Sequence, residues 1–325
     1  MPIALWQPSP EEQEKTLLTR FSKKVQERYE LSDCEYSTLH QWSIDYPELF
    51  WKEVWRDCEV RSSAEWSKVM SKSKFSEKIG TEPSGWFEGV RLNFAENLLA
   101  RGKDENEALC FTGENGSTSS LSYSELRDVV AKCASGLKSL GVSKNDRVAA
   151  VIPNCPEAVI GMLATASLGA IWSSCSPDFG INGIYDRLGQ ISPKILITVN
   201  AYYYNGKEHD CLLKIREIVI RIPSIESVFI VPFTETTIKF QGNEQAWGKL
   251  LNSSAGTVNF AQLPFDHPLY ILYSSGTTGL PKSIVHGAGG TLLKHLTEHR
   301  YHTDVHPGDR MFFFTTCGWM MWNWL

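Results

Sequence analysis

Long apolar runs are missing from this sequence. No stretch reaches the roughly 20 consecutive apolar residues that a bilayer span requires, so no membrane partner is expected. The N-terminus, Met1 to Pro8, has neither a basic segment nor an apolar core, which excludes a secretory signal. No basic run stands out. Lys and Arg number 32 against 37 Asp and Glu, a net charge of -5, and without a cationic patch no nucleic acid is expected as a partner. Cys-x-x-Cys pairs are absent too. Cys34, Cys58, Cys110, Cys133, Cys155, Cys175, Cys211 and Cys317 lie 20 or more residues apart. That spacing offers no metal clip or dithiol motif and fits thiols of a reducing compartment, the cytosol. Without a signal, the glycosylation patterns at Asn115-Gly116-Ser117 and Asn252-Ser253-Ser254 are chance matches.

What is present is a folding composition. Hydrophobic residues make up 42% and charged ones 21%, which excludes disorder and fibre, and the length suits about two domains. Ser9-Pro10-Glu11-Glu12 is a capping box, after which Leu18, Phe21, Val25 and Tyr29 share one helical face. Asp45 and Glu48 have the same spacing ahead of Phe50, Trp51, Val54 and Trp55. Six of the eleven tryptophans fall in residues 1–86, and no convincing strand does, so a helical N-terminal cap is expected.

The pattern changes near residue 107. Ala108–Thr112 and Ser119–Tyr123 flank Glu114-Asn115-Gly116, a hairpin signal. Ser122 and Glu125 form a further capping box, and the helix that follows runs to Gly141. Apolar runs at Arg147–Ile152, Ala170–Ser174, Lys194–Val199 and Ser227–Val231 alternate with helical segments near 156–168, 183–191 and 212–222. That alternation predicts a parallel sheet sheltered on both faces. Residues 234–259 are polar and weakly patterned. Leu269–Tyr273 is a further strand, a helix is expected near 291–301, and Met311–Thr315 is expected to be a strand. Pro307-Gly308-Asp309-Arg310 before it echoes Lys144-Asn145-Asp146-Arg147, a hint of two similar subdomains.

The strand at Leu269–Tyr273 runs into Ser274-Ser275-Gly276-Thr277-Thr278-Gly279-Leu280-Pro281-Lys282. Glycines let backbone N–H groups approach phosphate oxygens, hydroxyls donate further bonds, and Lys282 adds a point charge. The spacing is not that of a Walker A loop. A plain Ser/Gly/Thr surface turn is the competing explanation, and the apolar strand before it and Pro281-Lys282 after it weigh against that.

This loop resembles the signature phosphate loop of the adenylate-forming enzymes, with Ser283 where that family usually has glycine. The similarity extends along the chain. Residues 121–150 (LSYSELRDVVAKCASGLKSLGVSKNDRVAA) are similar to the family's first core motif and residues 154–174 (NCPEAVIGMLATASLGAIWSS) to its second, while Gly318-Trp319 stands where the fourth begins. Trp86–Leu99 (WFEGVRLNFAENLL), Ser176–Gly180 (SPDFG) and the C-terminal GWMMWNWL resemble the acetyl/acetoacetyl branch, most of all its acetoacetyl side.

The resemblance implies an α/β fold of mostly parallel sheets flanked by helices in two similar subdomains. It implies a helical cap over residues 1–100 and an adenylate-forming domain over residues 101–325. It also implies a reaction in which a short carboxylic acid, acetoacetate first, attacks the α-phosphate of ATP, after which CoA displaces AMP. Ser274, Ser275, Gly276, Thr277, Thr278, Gly279 and Lys282 would hold the phosphates, with Thr278 and Lys282 the catalytic pair. Trp319, Met320, Met321, Trp322 and Asn323 would line the acyl and pantetheine pocket, or else be ordinary core. Arg187 would meet a CoA phosphate, or else form a surface salt bridge. Magnesium is expected with ATP. Its acidic ligand, the ribose-binding aspartate and the C-terminal lysine follow the fourth motif in this family, so the resemblance assigns none of them to this chain.

Two further features need explaining. His295-Leu296-Thr297-Glu298-His299 matches a zinc-peptidase spacing, with His302 and His306 nearby, yet that chemistry needs an acidic ligand well downstream. The histidines are expected instead on a solvated helix face, with no metal. Finally, residues 311–325 read MFFFTTCGWMMWNWL, eleven of fifteen apolar or aromatic. As a free end this would expose apolar surface, so a chain truncated at its C-terminus is expected. The alternative to an enzyme is a short non-catalytic module that binds nucleotide or a partner.

Overall fold

The computed structural model describes residues 6–71, 85–252, 256–274 and 279–324. The first capping box forms. Ser9 Oγ accepts from the Glu12 N–H (3.2 Å), and Glu12 Oε2 accepts from the Ser9 N–H (2.7 Å), opening α1 (Pro10–Lys15). Thr16 is extended and caps α2 (Leu17–Tyr29), whose Phe21 and Val25 are buried. The second expected box does not form. Asp45 is the last residue of α3 (Tyr36–Asp45), and α4 (Pro47–Asp57) starts after Tyr46 with no side-chain cap. Pro47 explains this, since its fixed φ suits the first helical position and it has no N–H to satisfy.

The cap is not purely helical. β1 (Lys68–Met70) pairs antiparallel with β2 (Trp86–Glu88), strands too short for alternation to show in the sequence. β3 (Arg91–Leu92) and α5 (Phe94–Leu99) follow. Buried Asp57 ties the cap to the distant end of the chain. It accepts from Lys24 (2.6 Å), Arg300 (3.0 Å) and the Tyr301 hydroxyl (2.8 Å), and Phe21 stacks on the Tyr301 ring at 4.5 Å.

The expected hairpin is β4 (Glu107–Thr112) with β5 (Thr118–Ser122), and the Ser122/Glu125 box opens α6 (Tyr123–Ser139). β6 (Arg147–Val151), α7 (Pro156–Ser167), β7 (Ile171–Cys175), α8 (Ile181–Leu188) and β8 (Ile195–Val199) come next. A hairpin of β9 (Ala201–Tyr204) and β10 (Lys207–Asp210) precedes α9 (Leu212–Arg221) and β11 (Ser227–Val231). The polar stretch contains β12 (Glu244–Ala246) and α10 (Gly248–Leu251), followed by β13 (Leu263–Pro264), β14 (Pro268–Ser274) and β15 (Lys282–Gly287). α11 (Ala288–Thr297) runs into a π-turn at Glu298–His302, and α12 (Met320–Trp324) comes last.

Seven strands form one sheet in the order β12-β11-β8-β6-β7-β14-β15, parallel except for edge strand β15. β6 is buried on both faces. Val148, Ala150 and Ile152 join the cluster of α6, α7 and the cap, while Ala149 and Val151 join Ile184, Leu188, Ile215 and Ile218 of α8 and α9. This is the expected α/β class. Because the strands are parallel, the ends of β6, β7, β8, β11 and β14 share one edge, where ligands bind in open α/β sheets.

The strand expected at Met311–Thr315 has no regular structure, and Phe312 and Phe314 are 81% and 87% exposed. An extended segment becomes a strand only where a neighbour satisfies its backbone groups, and among the described residues none pairs with it. The turn before it nevertheless repeats its echo. Asp146 Oδ2 accepts from the Ser143 N–H (2.8 Å), as Asp309 Oδ2 does from the His306 N–H (2.7 Å). The residue before each aspartate has positive φ, 71° at Asn145 and 97° at Gly308.

Packing between α6 and α10 generates a test. A Cβ on Gly136 would lie 2.2 Å from the Leu250 carbonyl oxygen, a backbone atom, whereas one on exposed Gly290 of α11 would meet nothing. Gly136→Ala should cost about 1–3 kcal/mol in urea unfolding, and Gly290→Ala should add up to about 1 kcal/mol. Equal effects would contradict this packing.

Candidate active site

The site is built from the sheet's shared edge. β14 is almost wholly buried from Leu269 to Tyr273, as its apolar run requires, and β15 returns antiparallel with Ser274 opposite Lys282 and Tyr273 opposite Ser283. Residues 275–281 therefore connect two paired strand ends. Of the expected phosphate-binding residues, Ser274, Gly279 and Lys282 are described, whereas Ser275, Gly276, Thr277 and Thr278 lie outside the described residues. A Cβ on Gly279 would meet nothing within 4 Å. Lys282 is exposed and makes no ion pair among the described residues.

Arg187 approaches the same strand ends from α8. Its guanidinium carbon lies 4.4 Å from the Phe179 ring centre and 6.0 Å from that of Tyr273. Nη1 donates to the Gly183 carbonyl (2.7 Å), and Nε is buried without a hydrogen-bond partner. No carboxylate pairs with it among the described residues, so the surface salt bridge considered for it is not formed.

The C-terminal aromatic segment meets the ends of β6 and β7. Ser174 Oγ donates to the Cys317 carbonyl (2.7 Å), and Trp322 Nε1 donates to Asn154 Oδ1 (2.8 Å). A Cβ on Gly318 would sit 3.0 Å from the Ser176 nitrogen and 3.1 Å from the Phe179 ring, so this close approach needs glycine. The five expected pocket residues divide. Trp322 and Asn323 are buried, the latter with both amide atoms unpartnered, whereas Trp319 and Met320 are 65% and 38% exposed and Met321 lies between. Core packing therefore accounts for Trp322 but not for Trp319.

His302 is exposed as expected, but His295 and His299 do not lie on a solvated face. His295 of α11 sits beside Phe94 and Tyr270, its Nε2 3.5 Å from the Tyr270 hydroxyl. His299 Nε2 contacts the Trp324 carbonyl (3.0 Å), and Glu298 pairs with Lys294. Their helix presents this face inward because Leu292 and Leu293 around it are core residues. Among the described residues no three His, Cys, Asp or Glu gather as ligands.

Three contributors to the site carry little sequence signal. Phe179 and Asn154 lie inside segments that carry the resemblance but have no role assigned to them individually, and Gln190, which touches both sides of Lys282, follows a helix end like many solvated glutamines. Only the serines of β7 stand out, being hydroxyls in an otherwise apolar run.

Comparison with known proteins agrees with this geometry. The family described as AMP-binding enzyme matches residues 98–324, and the one described as acetyl-coenzyme A synthetase N-terminus matches residues 36–98. The chain is 43% identical over 327 residues to the acetoacetyl-coenzyme A synthetase of Rhizobium meliloti (strain 1021), covering 99% of this chain and 49% of that protein. It is 41% identical over 324 residues to the malonamoyl-CoA synthetase of Penicillium aethiopicum, covering 95% and 44%. The solved acetoacetyl-CoA synthetase from Streptomyces lividans superposes with a TM-score of 0.91 at 38% identity, over 100% of this chain and 49% of that one. The chain thus spans about half the length of the relatives it matches.

Burial of the histidines sets a pH dependence. Loss of water, helped by His299, His286 and Lys294, pulls His295 from 6.5 to about 3, and His267, His286 and His299 are lowered by burial as well. Between those values the unfolded chain binds a proton that the folded one does not. The stability from neutral His295 is therefore complete above pH 6.5 and is lost as pH falls, by up to about 2 kcal/mol near pH 5. His295→Gln should show a smaller drop in melting temperature than the wild type over that range, and parallel curves would contradict the assignment.

Proposed function

Because this chain belongs to the AMP-binding enzyme family, we propose that the protein joins a short 3-oxo carboxylic acid, acetoacetate first, to CoA at the expense of ATP. A carboxylate oxygen attacks the α-phosphorus, the bond to the bridging oxygen breaks, and pyrophosphate leaves. The thiol sulfur of CoA then attacks the acyl carbon, its proton passes to solvent, and AMP departs. The pairing of Ser274 with Lys282 supports this reading, because it brings both ends of the Ser/Gly/Thr connection to the edge of the sheet where Arg187 packs towards Tyr273.

In this reading Ser274 through Gly279 surround the β- and γ-phosphates with amides and hydroxyls. Lys282 offsets the charge that grows on departing pyrophosphate, and Thr278 acts beside it. Magnesium accompanies ATP and neutralises phosphate charge. Arg187, held over the Phe179 ring with no carboxylate partner among the described residues, serves a CoA phosphate. Trp319, Met320 and Met321 line the acyl and pantetheine passage in front of Trp322 and Asn323.

The acid follows from the named relatives. Acetoacetate and malonamate share a carbonyl at carbon 3 and differ only in a terminal methyl or amino group, so the 3-oxo group is the common element. Residues 1–100 act as a cap and residues 101–325 as the adenylate-forming part. The eight free cysteines suit the reducing cytosol.

ATP–pyrophosphate exchange tests this. In the intact protein, exchange should require acetoacetate and be much weaker with acetate or butyrate, the latter lacking only the 3-oxo oxygen. Lys282→Ala should slow it about a hundredfold without shifting the melting temperature, since Lys282 is exposed. Undiminished exchange in that variant would overturn the assignment, and ATP binding without exchange would favour the non-catalytic module.

A further inference from the structure

The return arm of the phosphate loop is held from outside the hairpin. Gln190, two residues beyond α8, donates from Nε2 to the Pro281 carbonyl (2.9 Å), and its Oε1 accepts from the Ser283 hydroxyl (3.0 Å). One carboxamide thus grips both neighbours of Lys282. A single bond between exposed groups would contribute little, but two bonds from one planar group restrain the Pro281 carbonyl and the Ser283 side chain together. With both ends of that three-residue unit restrained, the direction in which the Lys282 side chain leaves the strand is restrained too.

Ser283 gives this contact its meaning. It stands where the resembling family usually has glycine, and a glycine would leave Gln190 Oε1 without this partner. α8 also holds the opposite arm, since Arg187, three residues before Gln190, packs towards Tyr273 at the end of β14. The end of α8 therefore touches both strands that carry the loop.

We propose that Gln190 is a positioning residue for Lys282, acting through its paired bonds to Pro281 and Ser283. The inference rests on the phosphate-binding reading of the loop. Its effect should pass through the lysine and vanish when the ammonium is absent. A merely structural role would instead lower stability and persist whatever stands at residue 282.

A double-mutant cycle on the full chain separates these, with inorganic pyrophosphate and ATP as probes in titration calorimetry. Gln190→Ala should weaken binding of both about fivefold, and Ser283→Ala should weaken it less, since one of the two bonds survives. In a Lys282→Ala background, Gln190→Ala should change binding by less than about 1.5-fold, with melting temperatures unchanged throughout. Equal binding by wild type and Gln190→Ala, or an undiminished effect in the Lys282→Ala background, would overturn the proposal while leaving the phosphate site intact. Absence of pyrophosphate and ATP binding by the wild type, or no loss in Lys282→Ala alone, would overturn the phosphate reading and this inference with it.

Discussion

The site depends on two consecutive buried serines in β7. Successive residues of a strand face opposite sides of the sheet, so Ser173 and Ser174 send hydroxyls in different directions from the same point. Ser173 Oγ donates to the Ile271 carbonyl (2.8 Å) and approaches the Tyr273 hydroxyl (3.1 Å), locking β14 beside β7 where Tyr270 registers with Trp172. Ser174 Oγ donates to the Cys317 carbonyl and draws the aromatic segment onto the end of β7. A valine at either position would suit a buried parallel strand better on apolar grounds. The serines sacrifice apolar contact for two seams, and the geometry of the phosphate-loop strand relative to the aromatic segment follows from them.

Charge at the shared edge is arranged unlike charge around the buried carboxylates. In the cap, Lys24 and Arg300 converge on Asp57 while Arg28 and Arg56 converge on Glu53, and near β12 Arg216 is paired with Glu244. Those cations neutralise buried carboxylates, and each pair costs desolvation that its attraction roughly offsets. Arg187 and Lys282 have no such partner among the described residues, in a chain whose net charge is -5. Arg187 is also laid over an aromatic face, which favours its charge without neutralising it. Positive charge without a carboxylate partner at the ends of parallel strands suits an anionic ligand.

Much of this architecture is legible in the chain because local and global preferences agree. The runs at β6, β8 and β11 are apolar at all but one position each, as suits strands buried on both faces, and the Ser9 and Ser122 boxes start helices where they stand. The Ser/Gly/Thr connection after β14 stands out by composition alone, and its reading as a phosphate loop comes from the resemblance. Other elements are not legible. β12 lies on the sheet edge and needs no apolar run, and α10 spans a single turn. β9–β10 is a different case, because Asn205-Gly206, both at positive φ, is a strong hairpin signal hidden by the polar KEHD strand that follows. Gln190 carries no signal, since its role exists only once α8 and β15 are neighbours. The inward histidines mislead for the converse reason: a polar residue suggests solvent unless the buried faces of its helix are known.

The paired turns at Ser143–Asp146 and His306–Asp309 separate what a local segment decides from what it cannot. Both form the same aspartate-capped bend with the same backbone bond, 3.0 Å and 3.1 Å from the aspartate N–H to the first residue's carbonyl. Both lead into an arginine and then an apolar segment. After the first, Arg147–Val151 becomes an interior strand of the sheet, held by β7 on one side and β8 on the other. After the second, Met311–Thr315 stays irregular with its phenyl rings exposed. The bend needs only an aspartate and a residue tolerant of positive φ, so four residues suffice to make it. The strand needs two neighbours, which no property of its own residues can supply. Apolar content is therefore evidence that a segment can be buried, and only a partner's backbone makes it a strand.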